Sequence, residues 1–209
     1  RGHDIARERG LLGHEGRRVY RDLERNFYAQ VEAGELTVQN ALSKALRLSQ
    51  VANGAFPTDT GDVKTVDTAK RDLLKEVIDE IGGAPIVVFC RFHHDLDAVF
   101  EVAGPETREL SGRRNELAAW QAGEGRVLAV QIQSGSVGID LTRASYAVFY
   151  SVGWSLGELD QARARIHRPG QTRPVTNVRL IVKDTIDVRI WDALAARRDV
   201  IESLLKRRD

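Results

Sequence analysis

With 209 residues, 42% of them hydrophobic, the chain is long enough for one α/β domain with a substantial core and an appendage. Its formal net charge of +1 excludes the strong basic field of histone-like proteins, so contact with nucleic acid requires a local patch. The single cysteine, Cys90, excludes an intramolecular disulfide, and no stretch approaches the roughly 18 apolar residues of a membrane span; together these predict a cytoplasmic protein without a membrane partner.

The N-terminal part of the chain is predicted to be helical. After a polar, glycine-interrupted start, apolar residues recur every four positions in two stretches on either side of Gly34. A region rich in Asn, Gly and Asp then interrupts this spacing, and a further amphipathic stretch ends at a pair of glycines. The predicted elements are a helical segment at 17–51, a loop at 53–62 and a helix at 68–81.

From Pro85 onward, strand and helix patterns alternate. This alternation is typical of a parallel sheet covered by helices on both faces. The predicted strands are 86–90, 107–110, 126–132, 146–151 and 175–182. The predicted helices are 93–102, 113–122, 157–167 and a long closing helix at 186–206. We therefore predict an α/β fold, with residues 1–58 as a helical entry segment and residues 59–209 as the α/β lobe.

Residues 161–171 read Gln-Ala-Arg-Ala-Arg-Ile-His-Arg-Pro-Gly-Gln and contain two arginines, Arg165 and Arg168, three positions apart. At the end of a helix this spacing predicts that both guanidinium groups lie on one surface. Two planar, permanently charged groups directed at one point suit a polyphosphate on which negative charge develops. A solvated basic helix end is the alternative interpretation.

The pattern Gln-Ala-x-x-Arg-x-His-Arg-x-Gly-Gln resembles the last helicase motif of Swi/Snf-type ATPases, a branch of the superfamily-two helicases. The resemblance implies a RecA-like fold with a helical segment ahead of it. It also implies that Arg165 and Arg168 are arginine fingers, which reach across a cleft to a nucleotide held by another lobe. Gln161 would stand at the nucleotide or coupling position.

The predicted strand 86–90 is followed by Arg91 and Phe92, at the edge of the sheet where ligands of open α/β folds bind. Pro85 to Phe92 resembles the first motif of the second helicase lobe, which implies a nucleic-acid role for Arg91 and Phe92. The alternative is an ordinary buried strand. The adjacent His93 and His94 lack a third ligand at a useful spacing, so we predict a solvated helix start and no metal site.

Gly112 and Arg113 precede or begin the predicted helix at 113–122. Backbone N–H groups at a helix start, together with an arginine, form an anion site, for which a nucleic-acid phosphate is the natural occupant. The spacing from Arg113 to Trp120 also resembles the family. A capped surface helix is the alternative. Further along, Trp154 precedes the helix at 157–167 and is expected to set its entry angle by packing.

Residues 134–141, Ser-Gly-Ser-Val-Gly-Ile-Asp-Leu, resemble the family's Gly-Gly-x-Gly-Leu-Asn-Leu motif. Glycines allow the backbone to approach a phosphate, so Ser134 and Gly135 are predicted to contact nucleic acid and Gly138 the nucleotide. Asp140 can accept a hydrogen bond from a ribose or orient an arginine. It replaces the family's asparagine, and Gln133 stands where a basic residue is usual. A purely structural glycine turn is the alternative.

No Gly-x-x-x-x-Gly-Lys-Ser/Thr loop occurs, so the resemblance covers only the second of two lobes. It implies that ATP and Mg²⁺ are bound mainly by a preceding N-terminal RecA-like lobe, and that double-stranded DNA contacts the second lobe through its backbone. The chain lacks methionine even at position 1, which favours a fragment. We expect it to be inactive alone and to come from a bacterial or phage-infected cytoplasm. The alternative is a non-catalytic module that docks nucleic acid or protein.

Overall fold

The computed structural model describes residues 3–34, 37–133 and 138–196, which divide into two compact units. Residues 71–180 with the first seven residues make up the first unit, and the remainder forms the second. The helices are α1 (His14–Glu32), α2 (Val38–Ala52), α3 (Ala69–Ile81), α4 (His93–Ala103), α5 (Leu117–Gln121), α6 (Leu156–Ile166) and α7 (Ile186–Ala195). The strands are β1 (His3–Arg9), β2 (Ala55–Pro57), β3 (Val63–Thr65), β4 (Ile86–Cys90), β5 (Arg108–Leu110), β6 (Val127–Gln131), β7 (Tyr146–Phe149) and β8 (Thr176–Val182).

A six-stranded sheet with the order β1-β8-β7-β4-β6-β5 organises the first unit. The pairs β5–β6, β6–β4, β4–β7 and β7–β8 are parallel, and Ile86 of β4 lies opposite both Val127 and Tyr146. Parallel neighbours require crossover connections, and α4, α5 and α6 supply them. The predicted α/β, RecA-like fold with helices around a parallel sheet is confirmed.

The core lies on both faces of this sheet. Every residue of β4 is fully buried, as a parallel strand with helices on each side requires. Ile86, Val88 and Cys90 of β4 pack into a cluster with apolar residues of α3, α4 and β8. On the other face Phe89 stacks on Phe149 with ring centroids 5.1 Å apart. Cys90 is therefore a buried core residue, as its apolar surroundings predicted.

The second unit contains α1, α2, the β2–β3 hairpin and α7. A buried ion pair joins Lys70 to Asp187, with Nζ 2.6 Å from Oδ2, and Lys70 also donates to Asn53 Oδ1 at 2.7 Å. The backbone N–H of Ile186 donates to the hydroxyl of the buried Tyr20 at 2.6 Å. These polar contacts fix the start of α7 to the two N-terminal helices and to the first residues of α3.

Three predicted elements differ from the structure. Residues 3–9 form a strand, and residues 55–57 and 63–65 pair as a hairpin where we predicted a loop. The described side chains of β1 and β3 are exposed, and β2 is only three residues long, so none of these strands shows an apolar alternation. The predicted helix at 113–122 begins only at Leu117. The closing helix is present from Ile186, while its predicted part beyond 196 lies outside the described residues. The boundary at residue 58 stays a prediction. Within the described ranges no helix is long and apolar enough to cross a membrane.

Candidate functional site

The carboxyl ends of β4, β6 and β7 meet at one edge of the sheet, because neighbouring parallel strands run in the same direction. The chain leaves this edge through three connections, at 91–92 after β4, 132–145 after β6 and 150–155 after β7. Most of the site residues that the sequence predicts lie in these connections or on the helices that follow them. We call this part of the molecule the carboxyl edge.

Arg165 lies in the last turn of α6 and is 5% exposed. Its Nη2 donates to Oε1 of the exposed Gln161, one turn earlier, at 3.3 Å. Its carbonyl accepts from the N–H of Leu141 at 3.0 Å. Burial lowers the pKa of the Arg165 guanidinium, which still remains a cation at neutral pH. A largely dehydrated cation of this kind interacts strongly with an incoming anion.

Arg168 does not share a helix face with Arg165, and the basis of that prediction is wrong. The helix α6 ends at Ile166, and the C-cap residue His167 has φ −90° and ψ 79°, which turns the chain out of the helical path. Arg168 therefore lies beyond the helix, where its Nη1 donates to the carbonyls of Gly138 at 2.9 Å and Ile139 at 3.0 Å. The structure brings both arginines to the same connection, 138–144, by separate routes.

Residues 138–144 form a loop with its own internal turn. Gly138 has φ +105°, a conformation that favours glycine. The Asp140 Oδ1 accepts from the N–H of Thr142 at 2.8 Å and from its hydroxyl at 2.7 Å. These two bonds, and secondarily the charge of Arg168, hold the pKa of Asp140 below its usual value. Asp140 is thus a carboxylate at neutral pH that orders the loop. Ser134 and Gly135 lie outside the described residues.

Gln171 is a site residue to which the sequence pattern alone gave no role. Its Nε2 donates to the carbonyls of Thr142 at 3.1 Å and Ala144 at 2.8 Å. Together with the bonds of Arg165 and Arg168, these attach the segment 165–171 to the loop 138–144 at several points. Its place as the final Gln of the motif pattern was the available signal, but its partners are backbone carbonyls, which a sequence motif does not specify.

Arg91 lies over the ring of Trp154, with Cζ 4.3 Å from the ring centroid, and 5.5 Å from that of Phe92. Burial lowers the pKa of Arg91, and the carboxylates of Glu158 and Asp95 partly offset this effect. Trp154, two residues before the start of α6, fixes Arg91 by a cation–π contact, and its effect on the entry angle of the helix stays a prediction. This arrangement leaves the guanidinium half-buried at the carboxyl edge.

Asp95 is a buried carboxylate that the sequence analysis did not single out. Its Oδ2 accepts from the Ser151 hydroxyl at 2.5 Å and from the N–H of Phe92 at 3.1 Å, and Ser151 Oγ in turn accepts from the N–H of Arg91 at 2.7 Å. Asp95 is 1% exposed and stands in the first turn of α4, where a negative charge is favourable. An aspartate three residues after the N-cap residue, here Phe92, is a helix-capping signal that is visible in the sequence. It fixes the chain at Arg91 and Phe92.

Gly112 and Arg113 do not stand at a helix start, and the geometric basis of the predicted anion site there is wrong. The helix α5 begins four residues later and is only five residues long. Arg113 instead forms ion pairs with Asp97 at 2.8 Å and Glu109 at 3.2 Å, while Gly112 N–H points to Gln131 Oε1 at 3.4 Å. Two carboxylates compensate the charge of Arg113. Its contact with nucleic acid stays a prediction.

Among the described residues, no group of three His, Cys, Asp or Glu side chains is placed to hold a metal ion. His94 lies buried, and its ring stacks on Phe92 with centroids 5.1 Å apart, so it is not at a solvated helix start. The carboxyl edge presents fixed arginine cations and an ordered backbone, and these features suit the binding of a polyanion.

Comparison with known proteins agrees with this geometry. Residues 69–170 match the helicase conserved C-terminal domain family. The chain is 26% identical over 194 residues to protein p41 of Acyrthosiphon pisum secondary endosymbiont phage 1, covering 90% of this chain and 42% of p41. It is 28% identical over 147 residues to the chromatin-remodeling ATPase INO80 of Cryptococcus neoformans, covering 65% of this chain and 8% of INO80.

The fold is similar to that of the SWI2/SNF2 ATPase core of Sulfolobus solfataricus in its complex with double-stranded DNA. The TM-score is 0.73 at 22% sequence identity, and the match covers 96% of this chain and 46% of the Sulfolobus chain. The chain thus spans less than half the length of each of these relatives.

Proposed function

We propose that this chain, whose residues 69–170 match the helicase conserved C-terminal domain family, is the second lobe of a DNA-dependent ATPase of the Swi/Snf-like group. Its chemical contribution is the pair Arg165 and Arg168. One observation carries the proposal: both arginines are attached to one ordered loop, 138–144, at the carboxyl edge. These bonds fix the guanidinium of Arg168 and the backbone of Arg165 before a substrate arrives, while the guanidinium of Arg165 bonds Gln161.

The proposed catalytic effect is electrostatic. In phosphoryl transfer, negative charge spreads over the oxygens of the transferring group, and fixed cations lower the energy of that state. An arginine finger is worth on the order of 10³–10⁵ in rate in well-studied NTPases. Arg165 supplies a dehydrated guanidinium, and Arg168 supplies one that lies beside the Asp140 carboxylate and the Gly138 carbonyl. The exposed Gln161 accepts a hydrogen bond from the Arg165 guanidinium and is proposed to sense the nucleotide.

We propose that ATP and Mg²⁺ are bound mainly by an N-terminal RecA-like lobe of the same protein. The ion would neutralise phosphate charge there, and the described residues of this chain offer it no ligand cluster. Closure of the two lobes would bring Arg165 and Arg168 to the nucleotide, and opening after hydrolysis would drive a step along DNA. The chain alone is then expected to be inactive.

The proposed DNA contacts follow the sugar–phosphate backbone of a duplex and do not read sequence. The candidates among the described residues are Arg91, Phe92, Gly112 and Arg113. The complex of the Sulfolobus protein with double-stranded DNA supports DNA as the partner of this fold, and the similarity to the phage protein p41 supports a bacterial or phage origin. A cytoplasmic location is part of the same proposal.

The test is steady-state ATPase kinetics of the full-length protein at saturating and limiting DNA. Replacing Arg165 or Arg168 with Ala should lower kcat by at least about 100-fold while KM for ATP and DNA affinity change little, because the interaction is made in the transition state. Arg163→Ala is the matched control, since this arginine lies on the same helix but pairs with Asp4 at 3.6 Å. Turnover within about twofold of the wild type for both finger variants would refute the proposal.

A further inference from the structure

The loop 138–144 is held from one side by α5 and the turn that follows it. The guanidinium of Arg143 lies over the Trp120 ring, with Cζ 4.8 Å from the centroid. Its Nη1 donates to the carbonyls of Trp120 and Gly125, the latter at 3.0 Å. Gln121, the last residue of α5, adds a further bond, from its Nε2 to the Asp140 carbonyl at 2.8 Å. Arg143 and Gln121 thus attach the loop to α5 and to the turn after it.

The same loop is held from the other side by the segment 165–173. Arg173 Nη2 donates to the carbonyl of Arg143 itself, and Gln171 Nε2 bonds the carbonyls on either side of it. Arg143 therefore connects two elements: its side chain binds α5, and its own carbonyl binds the arginine segment. The loop has no helix or strand of its own between Gly138 and Ala144, so these bonds define where its backbone lies.

We infer that Arg143 is a positioning residue for Arg165 and Arg168, acting through the backbone of the loop 138–144. The inference rests on the proposed function. It assigns a role to a side chain that lies outside the arginine motif and touches neither finger. Lysine should replace it poorly, because a single ammonium cannot lie flat on the Trp120 ring and reach two carbonyls. The simpler alternative is that Arg143 only covers Trp120, with no effect beyond α5.

Hydrogen exchange on the 209-residue chain separates these possibilities. The reporters are the N–H of Leu141, which donates to the Arg165 carbonyl, and the N–H of Gln171, which donates to the Arg168 carbonyl. Arg143→Ala should speed exchange at both by about tenfold, and Arg143→Lys by somewhat less. The matched control is Arg126→Ala, since Arg126 also donates to two backbone carbonyls, those of Ile78 and Gly82, but does not contact the loop. Unchanged exchange at Leu141 and Gln171, or equal acceleration in β4, would overturn the inference.

A kinetic cycle in the full-length protein supplies the second test. Arg143→Ala should lower kcat by about tenfold without raising KM for ATP or the DNA concentration for half-maximal activity. Added to the double variant Arg165→Ala, Arg168→Ala it should cause little further loss, because both positioned cations are then already absent. Fully additive losses would overturn the inference. If Arg165→Ala and Arg168→Ala leave turnover intact, the proposed function is refuted. The hydrogen-exchange result tests the positioning role of Arg143 independently of that outcome.

Discussion

Breaking the buried pair of Lys70 and Asp187 should strongly destabilise the second unit. Asp187→Asn keeps the shape of the side chain but removes its charge, which leaves the Lys70 ammonium, at 1% side-chain exposure, with Asn53 Oδ1 as a neutral acceptor. Removing one partner of a buried pair costs about 3–5 kcal/mol, because the remaining charge stays out of water. Domains of this size are stable by only about 5–15 kcal/mol, so the loss is large.

The double variant Lys70→Met, Asp187→Leu should recover most of this loss, since apolar side chains of similar volume often replace a buried ion pair without cost. Recovery should be incomplete by about 1–2 kcal/mol, because Asp187 Oδ2 also accepts from the N–H of Val182 at 3.2 Å and that donor loses its partner. The expected order of stability is therefore wild type, then the double variant, then Asp187→Asn.

Urea unfolding followed by far-UV circular dichroism measures these differences. The matched control is Asp79→Asn, which breaks the Lys75–Asp79 pair; its Nζ–Oδ2 distance is 2.7 Å, close to the 2.6 Å of the buried pair, but both side chains are more than 60% exposed. The control should leave the unfolding midpoint where it is. An Asp187→Asn midpoint equal to that of Asp79→Asn would show that the ammonium of Lys70 reaches water, and the reasoning from burial would be refuted.

Two further predictions concern pH and salt. Burial lowers the pKa of His94 in the folded chain, so the unfolded chain binds the proton more readily. The free energy of unfolding should therefore fall as the pH drops through about 6.5. The variant His94→Phe should reduce this loss in unfolding experiments between pH 7 and 5. A pH dependence identical in both proteins would contradict it. For DNA, Arg113→Gln should weaken binding and reduce the slope of log affinity against log salt by about one, whereas Asp97→Asn, which removes one of the two carboxylates paired with Arg113, should do the opposite. An unchanged slope in both variants would place the DNA contacts elsewhere.

The sequence predicted the strands of the sheet well because their burial on both faces produces continuous apolar runs. All five residues of β4 are fully buried, and the runs at β6, β7 and β8 are also largely apolar. By contrast, β3 is exposed throughout and β1 is exposed along its described side chains. A strand without a buried face has no alternation of apolar and polar residues, so the polar composition of these segments did not indicate strands.

The sequence named candidate site residues but not their contacts. The roles of Arg165, Arg168 and Asp140, predicted from their motifs, stay predictions. The helix geometry assumed for the two arginines was wrong, since the backbone conformation of His167 ends α6 before Arg168. The partners of Arg168 are carbonyls about 30 residues earlier in the chain, and a backbone acceptor leaves no residue type for a pattern to detect. Asp95 was missed for a different reason: its capping position at the start of α4 is a local signal, but its partner Ser151 lies 56 residues later in the chain and leaves no local pattern.

The central place of β4 in the sheet has a consequence for synthesis of the chain. Ile86 pairs with Val127 on one side and Tyr146 on the other, so about 40 further residues must leave the ribosome before β4 gains its first neighbour in the sheet. Until then the segment Ile-Val-Val-Phe-Cys is an apolar strand with both edges open, the type of segment that pairs with other chains. Slow synthesis across residues 91–127 should therefore favour aggregation of the nascent protein over productive folding.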